Sequence, residues 1–225
     1  MTDIAAEREA MVERQLRRRG ITEPAILDAF RAVPREAFVG ADATHLAYGD
    51  HPLPIEAGQT ISQPYIVALM IQAAAIDAGD KVLEVGSGSG YAAAVVSRIA
   101  AQVVGIERQP ELVAVARQRL ARLGYDNVEI VAGDGTKGWA EEAPYDAILA
   151  AASGSHVPKS LLEQLAPGGR LVMPVGEPSG VQTLVKVTKG RDGTLQQSDL
   201  GGVRFVPLIG EEAWSDARHW CRHLV

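Results

Sequence analysis

Glu84-Val85-Gly86-Ser87-Gly88-Ser89-Gly90-Tyr91 closes the apolar run Lys81–Val85 and passes without a break into the helical pattern Tyr91–Ala100. Glycine lets the backbone turn tightly and approach a ligand closely, and the helix start that follows offers free N–H groups. Outward from this point, short apolar runs alternate with helical patterns. Lys81–Val85, Val103–Glu107, Val128–Val131, Ala147–Ala152 and Arg170–Val175 are five predicted strands. The helices predicted between them are Tyr91–Ala100, Glu111–Leu123 led in by Pro110 and ended by Gly124, and Pro158–Leu165 before Pro167-Gly168-Gly169. Strands apolar on both faces belong in a parallel sheet covered by helices on each side. The fold class is therefore α/β, a doubly wound, Rossmann-like and mainly parallel sheet.

Beyond Gly176 the pattern changes. Val181–Thr188 and Val203–Leu208 are expected as antiparallel strands joined through Gly190-Arg191-Asp192-Gly193. Before Asp80 lies a predicted helical appendage: Ala5–Arg19 carries Met11, Val12 and Leu16 on one side, and Thr22 is placed to cap a helix striped by Ile26, Leu27, Phe30 and Val33. Residues 39–59 are rich in Gly, Pro, Asp and His and predict an ordered loop or short hairpin; Ser62-Gln63-Pro64 reads as a cap and first turn of a helix running to about Asp77. The expected organisation is a single domain over 1–225, with a helical and substrate-loop region (1–79), a nucleotide-binding core (80–176) and C-terminal antiparallel strands with a tail (177–225).

A glycine run by itself is more often a plain turn. Here Glu107 closes the second strand, 21 residues after Gly86, against the ~20 expected for a carboxylate that accepts ribose hydroxyls. Together they predict a nucleoside site. A dinucleotide fingerprint wants G-x-G-x-x-G, but position 91 is Tyr and the loop reads G-x-G-x-G, two residues after Glu84. That departure favours S-adenosylmethionine, whose amino-acid end a tight loop can hold and whose sulfonium suits acidic surroundings. Candidate cofactor residues are Glu84, Gly86, Ser87, Gly88, Gly90, Glu107, Asp134 and Gly135, with Asp134 expected to accept from the adenine amino group and S-adenosylhomocysteine as the product. Read alone, Asp134-Gly135 is equally an ordinary turn.

The glycine loop, Glu107 and Asp134-Gly135 resemble class I methyltransferases. Gln59-Thr60-Ile61-Ser62-Gln63-Pro64, the segment Pro167–Gly176 and Val203-Arg204-Phe205-Val206-Pro207-Leu208 resemble the protein-L-isoaspartate O-methyltransferase family, and the similarity runs from about residue 8 to Trp214. The resemblance implies methylation of the free α-carboxylate of isoaspartyl residues in damaged proteins and peptides, a repair activity. It makes Ser62 the active-site residue, hydrogen-bonding the substrate carboxylate, with Thr60, Ile61, Gln63, Val203, Arg204 and Phe205 as substrate-binding residues. A carboxylate is ionised at neutral pH, so the chemistry asks for no base, and no Ser/His or His/Asp pairing stands out. The chain departs from the family pattern at Ser153-Gly154-Ser155-His156, where a proline usually follows the alanines. A small-molecule methyltransferase of the same fold and a non-catalytic donor-binding adaptor are the alternative readings.

Composition bounds the partners. Lys and Arg number 22 against 28 Asp and Glu, a net charge of −6, so no overall field draws nucleic acid or an anionic membrane. A lone cysteine excludes an internal disulfide framework, and the first residues lack a signal peptide's features. The expectation is a cytoplasmic monomer without a metal. His219-Trp220-Cys221-Arg222-His223 lacks a fourth ligand nearby, Arg17-Arg18-Arg19 is expected as a solvated helix end, and His45, His51 and His156 as surface residues.

Overall fold

The computed structural model describes residues 3–215. The chain starts with α1 (Ile4–Met11), whose first turn is capped by Asp3 Oδ1 accepting from Ala5 and Ala6 N–H at 3.0 and 3.3 Å. A π-helical turn and a 3-10 turn carry it to Arg19, and Gly20, at φ 93°, stops it. Met11, Val12 and Leu16 are all buried, as their spacing predicts. In α2 (Pro24–Ala32) the cap is Glu23, not Thr22, because Pro24 takes the first helical position; the Thr22 N–H instead donates to Gln72 Oε1 at 3.1 Å. Ile26, Leu27, Phe30 and Val33 are buried.

Residues 39–59 contain the expected ordered loop, which ends in a small hairpin, β1 (Leu53–Pro54) against β2 (Thr60–Ile61). Then comes α3 (Pro64–Ala74). Its cap position is Gln63, which makes no side-chain capping bond, so Ser62 lies outside the helix rather than capping it. The helix stops at Ala74, short of Asp77. Ala75 turns left-handed at φ 47°, and Arg170 reaches across to accept the role of a C-cap, donating from Nε to the Ala74 carbonyl at 2.6 Å while pairing with Asp80 at 2.7 Å.

The central sheet is formed by β3 (Lys81–Val85), β4 (Gln102–Glu107), β5 (Val128–Ala132), β6 (Tyr145–Ala150), β7 (Leu165–Val175), β8 (Gln182–Lys189) and β9 (Leu195–Val203). Their spatial order is β5-β4-β3-β6-β7-β8-β9, parallel from β5 to β7 and antiparallel beyond. The crossover helices are α4 (Tyr91–Val96), α5 (Pro110–Leu123) and α6 (Lys159–Glu163). Alternate strand residues feed two cores: Val82, Val103, Ile130, Ala147 and Val172 pack with the helices α1 to α5, whereas Leu83, Val104, Ile148, Leu171 and Val185 pack with Leu161 of α6. Each fully buried Val, Leu or Ile among them contributes about 1.5–3 kcal/mol, which is why strand residues carry apolar groups on both faces.

The final strand differs from expectation. After the 190–193 turn, closed by Gly190 N–H on the Thr194 carbonyl at 2.7 Å, the chain re-enters the sheet at Leu195, opposite Lys189, and leaves it after Val203. Val203–Leu208 is therefore not a strand. The true edge strand is exposed along nearly its whole length, so Gln196, Gln197, Ser198 and Asp199 show no apolar alternation to read.

Candidate active site

From β3 the chain runs to β4 on one side, and β6 lies on the other, so the order of strands reverses at the carboxyl end of β3. Ligands of doubly wound sheets bind in the crevice such a reversal leaves. The glycine loop sits there. Gly86, Gly88 and Gly90 have φ of 82°, 52° and 86°, left-handed values that strain any other residue. Space is restricted as well: a side chain on Gly88 would meet Ile55 Cδ1 at 3.3 Å, and one on Gly90 would meet Leu120 Cδ1 at 3.3 Å. The loop is pinned from below by the Gly86 N–H on the Ile106 carbonyl at 2.9 Å.

Glu107 ends β4 facing this loop. Its Oε1 accepts from Gln109 N–H at 2.9 Å and its Oε2 from Gly88 N–H at 3.1 Å, which fixes the carboxylate and leaves lone pairs for a ligand. Glu84 is buried beneath. Burial, helped by the Glu107 charge, outweighs the neighbouring Ser87 hydroxyl and pushes its carboxyl up to about 8. The Ser87 hydroxyl is close to this carboxyl but makes no well-formed hydrogen bond, so Glu84 Oε2 and Ser87 Oγ stay buried and geometrically unsatisfied, and both residues line the crevice. Orphaned polar atoms of this kind fit a ligand with hydroxyl and ammonium donors, which is what the ribose and amino-acid ends of S-adenosylmethionine carry.

Two segments wall the crevice from above. The first contains the β1–β2 hairpin: Gly58 to Ser62 line the crevice, and Glu56 is held to Arg119 of α5 by two hydrogen bonds at 3.1 and 2.7 Å. The second is Val206–Ile209. It is laid along Ser153, whose N–H donates to the Val206 carbonyl and whose carbonyl accepts from Leu208 N–H, both at 2.8 Å.

Of the residues expected in the site, Ser62, Thr60, Ile61, Glu84, Gly86, Ser87, Gly88, Glu107 and Gly135 line this one crevice. Gly90 stands behind it, shaping the start of α4. Gln63 is outside it and donates to the Asp50 carbonyl at 3.0 Å. Val203, Arg204 and Phe205 also lie outside: the chain leaves the sheet after Val203, and Phe205 N–H is tied to Gln182 Oε1 at 2.8 Å, so the wall falls three residues later. Asp134 is differently employed. Its Oδ1 accepts from Thr136 N–H and Oγ1 at 2.9 and 2.7 Å, and its Oδ2 from Glu211 N–H at 2.9 Å. Burial opposes ionisation there, but those hydrogen bonds outweigh it and hold the carboxyl below its ordinary range. Asp134 thus fastens residues 210–212, and Gly135 is the member of the pair that reaches the crevice.

Sequence reasoning missed Arg35, Tyr91 and Gln109. Tyr91 and Gln109 line the crevice, and both follow directly from motifs already recognised. The tail 219–223 lies outside the described residues. His45, His51 and His156 do not line the crevice, and Ser155 Oγ is 2.9 Å from His156 Nδ1 on an exposed loop.

The family model for protein-L-isoaspartate(D-aspartate) O-methyltransferase matches residues 6–213. Protein-L-isoaspartate O-methyltransferase 2 of Pelobacter propionicus is 57% identical over 207 residues, 92% of each chain. Among solved structures, a protein-L-isoaspartate O-methyltransferase superposes with a TM-score of 0.84 at 32% identity, covering 92% of this chain and 67% of that one. A putative protein-L-isoaspartate O-methyltransferase from Plasmodium falciparum, in complex with S-adenosyl-L-homocysteine, gives a TM-score of 0.78 at 28% identity over 90% of this chain and 98% of that one. With a crevice of the expected make-up and relatives matched along nearly its full length, the chain belongs to the protein-L-isoaspartate(D-aspartate) O-methyltransferase family.

Proposed function

We propose that Ser62 seats the substrate carboxylate while Glu84, Ser87, Gly88 and Glu107 hold the methyl donor beneath it. As a member of its family the chain is an S-adenosylmethionine-dependent enzyme that methylates the free α-carboxylate of L-isoaspartyl residues in damaged proteins. When bound, the donor supplies a methyl group made electrophilic by a sulfonium. The observation that carries the assignment of roles is what the crevice contains. Its lining has carboxyls, hydroxyls, glycines and aliphatic walls, and no His, Cys or Lys among the described residues. A substrate that arrives already ionised asks for no base.

The remaining work is alignment and drying. Ser62 Oγ donates to one carboxylate oxygen, and this leaves the other free to react. Ile61, Val206, Leu208 and Ile209 exclude water, so the oxygen is stripped of hydration as it is oriented. Glu107 and the glycine loop fix the donor's nucleoside end through the ribose hydroxyls. Gly135 reaches the crevice where the chain packs closely on β3, since a side chain there would meet Val85 Cγ1 at 2.6 Å. The net charge of −6 supports partners other than nucleic acid, and a single cysteine suits the reducing cytoplasm. Among the described residues no helix is long and apolar enough to cross a membrane.

The test is a pair of peptides identical except for an isoaspartyl or an ordinary aspartyl linkage, incubated with labelled donor and with wild-type or Ser62→Ala enzyme. Label should enter the isoaspartyl peptide selectively, and Ser62→Ala should reduce its kcat/KM about tenfold or more, as loss of a hydrogen bond to a charged group does. Equal labelling of the twins sinks the substrate assignment; an unimpaired serine variant sinks the residue's role.

A further inference from the structure

Arg35 opens a 3-10 turn, Arg35–Phe38, in a part of the chain that carries no expected site residue. Its side chain is fully buried, and burial lowers its affinity for its proton. No carboxylate pairs with it among the described residues. A buried charge without a counter-ion is costly, and an apolar residue of similar volume would fill the space without that cost. What the guanidinium touches explains its presence. Its Nε donates to the Ala47 carbonyl and its Nη2 to the Ser62 carbonyl, each at 2.8 Å. Its carbon lies 4.7 Å from the centre of the Tyr91 ring, close enough for a cation–π contact. Tyr91 is the first residue of α4, immediately after the glycine loop. One planar fork thus joins the Ser62 segment to the helix that begins the donor site. An ammonium cannot reproduce this, because it lacks both the rigid pair of donors and the stacking plane.

We propose that Arg35 is a positioning residue for methyl transfer, holding the backbone of Ser62 at a fixed height above the donor site so that acceptor oxygen and methyl group align. This rests on the role given to Ser62 above. The Ser62 carbonyl is taken by the guanidinium, so the residue cannot swing as a unit. Its hydroxyl is then presented from an anchored backbone.

The experiment is a double-mutant cycle. Arg35→Lys, Ser62→Ala and the double variant are compared for thermal stability, for S-adenosylhomocysteine affinity by calorimetry, and for kcat and KM on an isoaspartyl peptide. Arg35→Lys should lower peptide kcat/KM by about ten- to a hundredfold, the scale of an ångström-level misplacement, while donor affinity changes by less. In the Ser62→Ala background the same substitution should alter kcat/KM by no more than about threefold, because no hydroxyl is left to position. Additive losses, or equal losses in donor affinity and peptide turnover, overturn the proposal and leave the serine's role intact. A silent Ser62→Ala overturns the serine's role and the proposal with it. If Arg35→Lys does not fold, Arg35→Gln, which buries no charge and can reach only one of the two carbonyls, is measured in its place with the same expectations; if neither folds, Arg35 serves the fold alone and the proposal falls.

Discussion

Glu107 accepts the backbone N–H of Gly88 at 3.1 Å, so the acidic end of β4 and the glycine loop after β3 are braced against each other before any ligand arrives. The carboxylate is preorganised, so a ligand that used it would not have to order it on binding.

Glu107→Ala should weaken S-adenosylhomocysteine binding by about 1.5–3 kcal/mol, roughly ten- to a hundredfold, because a charge-assisted acceptor and the brace on Gly88 are lost together. Glu107→Gln, which keeps one acceptor oxygen, should fall between. Calorimetry decides this, and unchanged affinity in the alanine variant would exclude Glu107 from the donor site.

Glu84 predicts a pH signature in the unfolding of the ligand-free protein. Its folded carboxyl titrates near 8 instead of its ordinary 4.5, so between those values the folded chain holds a proton that the unfolded chain has released. The contribution is fully present below about 4.5 and is lost as pH rises through about 8. The stability of the wild type relative to Glu84→Gln should therefore decline across that window, with a slope of up to about 1.4 kcal/mol per pH unit. Denaturant titrations from pH 4 to 9 check it; a difference independent of pH would show that Glu84 is ionised in the folded protein.

Asp134 separates two roles by their readouts. If its carboxylate mainly fastens residues 210–212, Asp134→Ala should cost about 1–3 kcal/mol of stability and speed chymotryptic cleavage at Trp214, with a smaller effect on donor affinity than Glu107→Ala. Donor affinity falling as far as in Glu107→Ala, at unchanged protease resistance, would return Asp134 to the adenine pocket.

The parallel half of the sheet was legible because its strands are buried on both faces and bounded by helix signals; β3 runs over Lys81–Val85 as read. That Glu107 would end its strand facing the glycine loop was legible because a fixed distance separates the two in sequence. The edge strand was not, since β9 buries almost nothing and so carries no periodic apolar mark. Val206–Ile209 line the crevice, while Val203–Phe205, assigned to the substrate by resemblance, lie beside it. The partners of Asp134 were not legible: an Asp-Gly pair announces that the carboxylate accepts hydrogen bonds but not from where, and Glu211 comes to it from 77 positions away. Arg35 left no trace, because a single arginine beside a glutamate reads as surface charge until the loops carrying Ala47 and Ser62 close over it.

The covering segments of the crevice flank the nucleotide-binding core in the sequence, one around Thr60 and the other at Val206–Ile209. On the ribosome, then, the Thr60 segment emerges first, and the parallel strands and the glycine loop follow well before the second covering segment exists. Donor captured at that stage would rest on a half-covered shelf exposed to solvent. The enzyme gains a shielded reaction chamber only when translation has passed Ile209, so a premature stop anywhere in the last antiparallel hairpin should yield a chain that retains most of its sheet and has no chemistry.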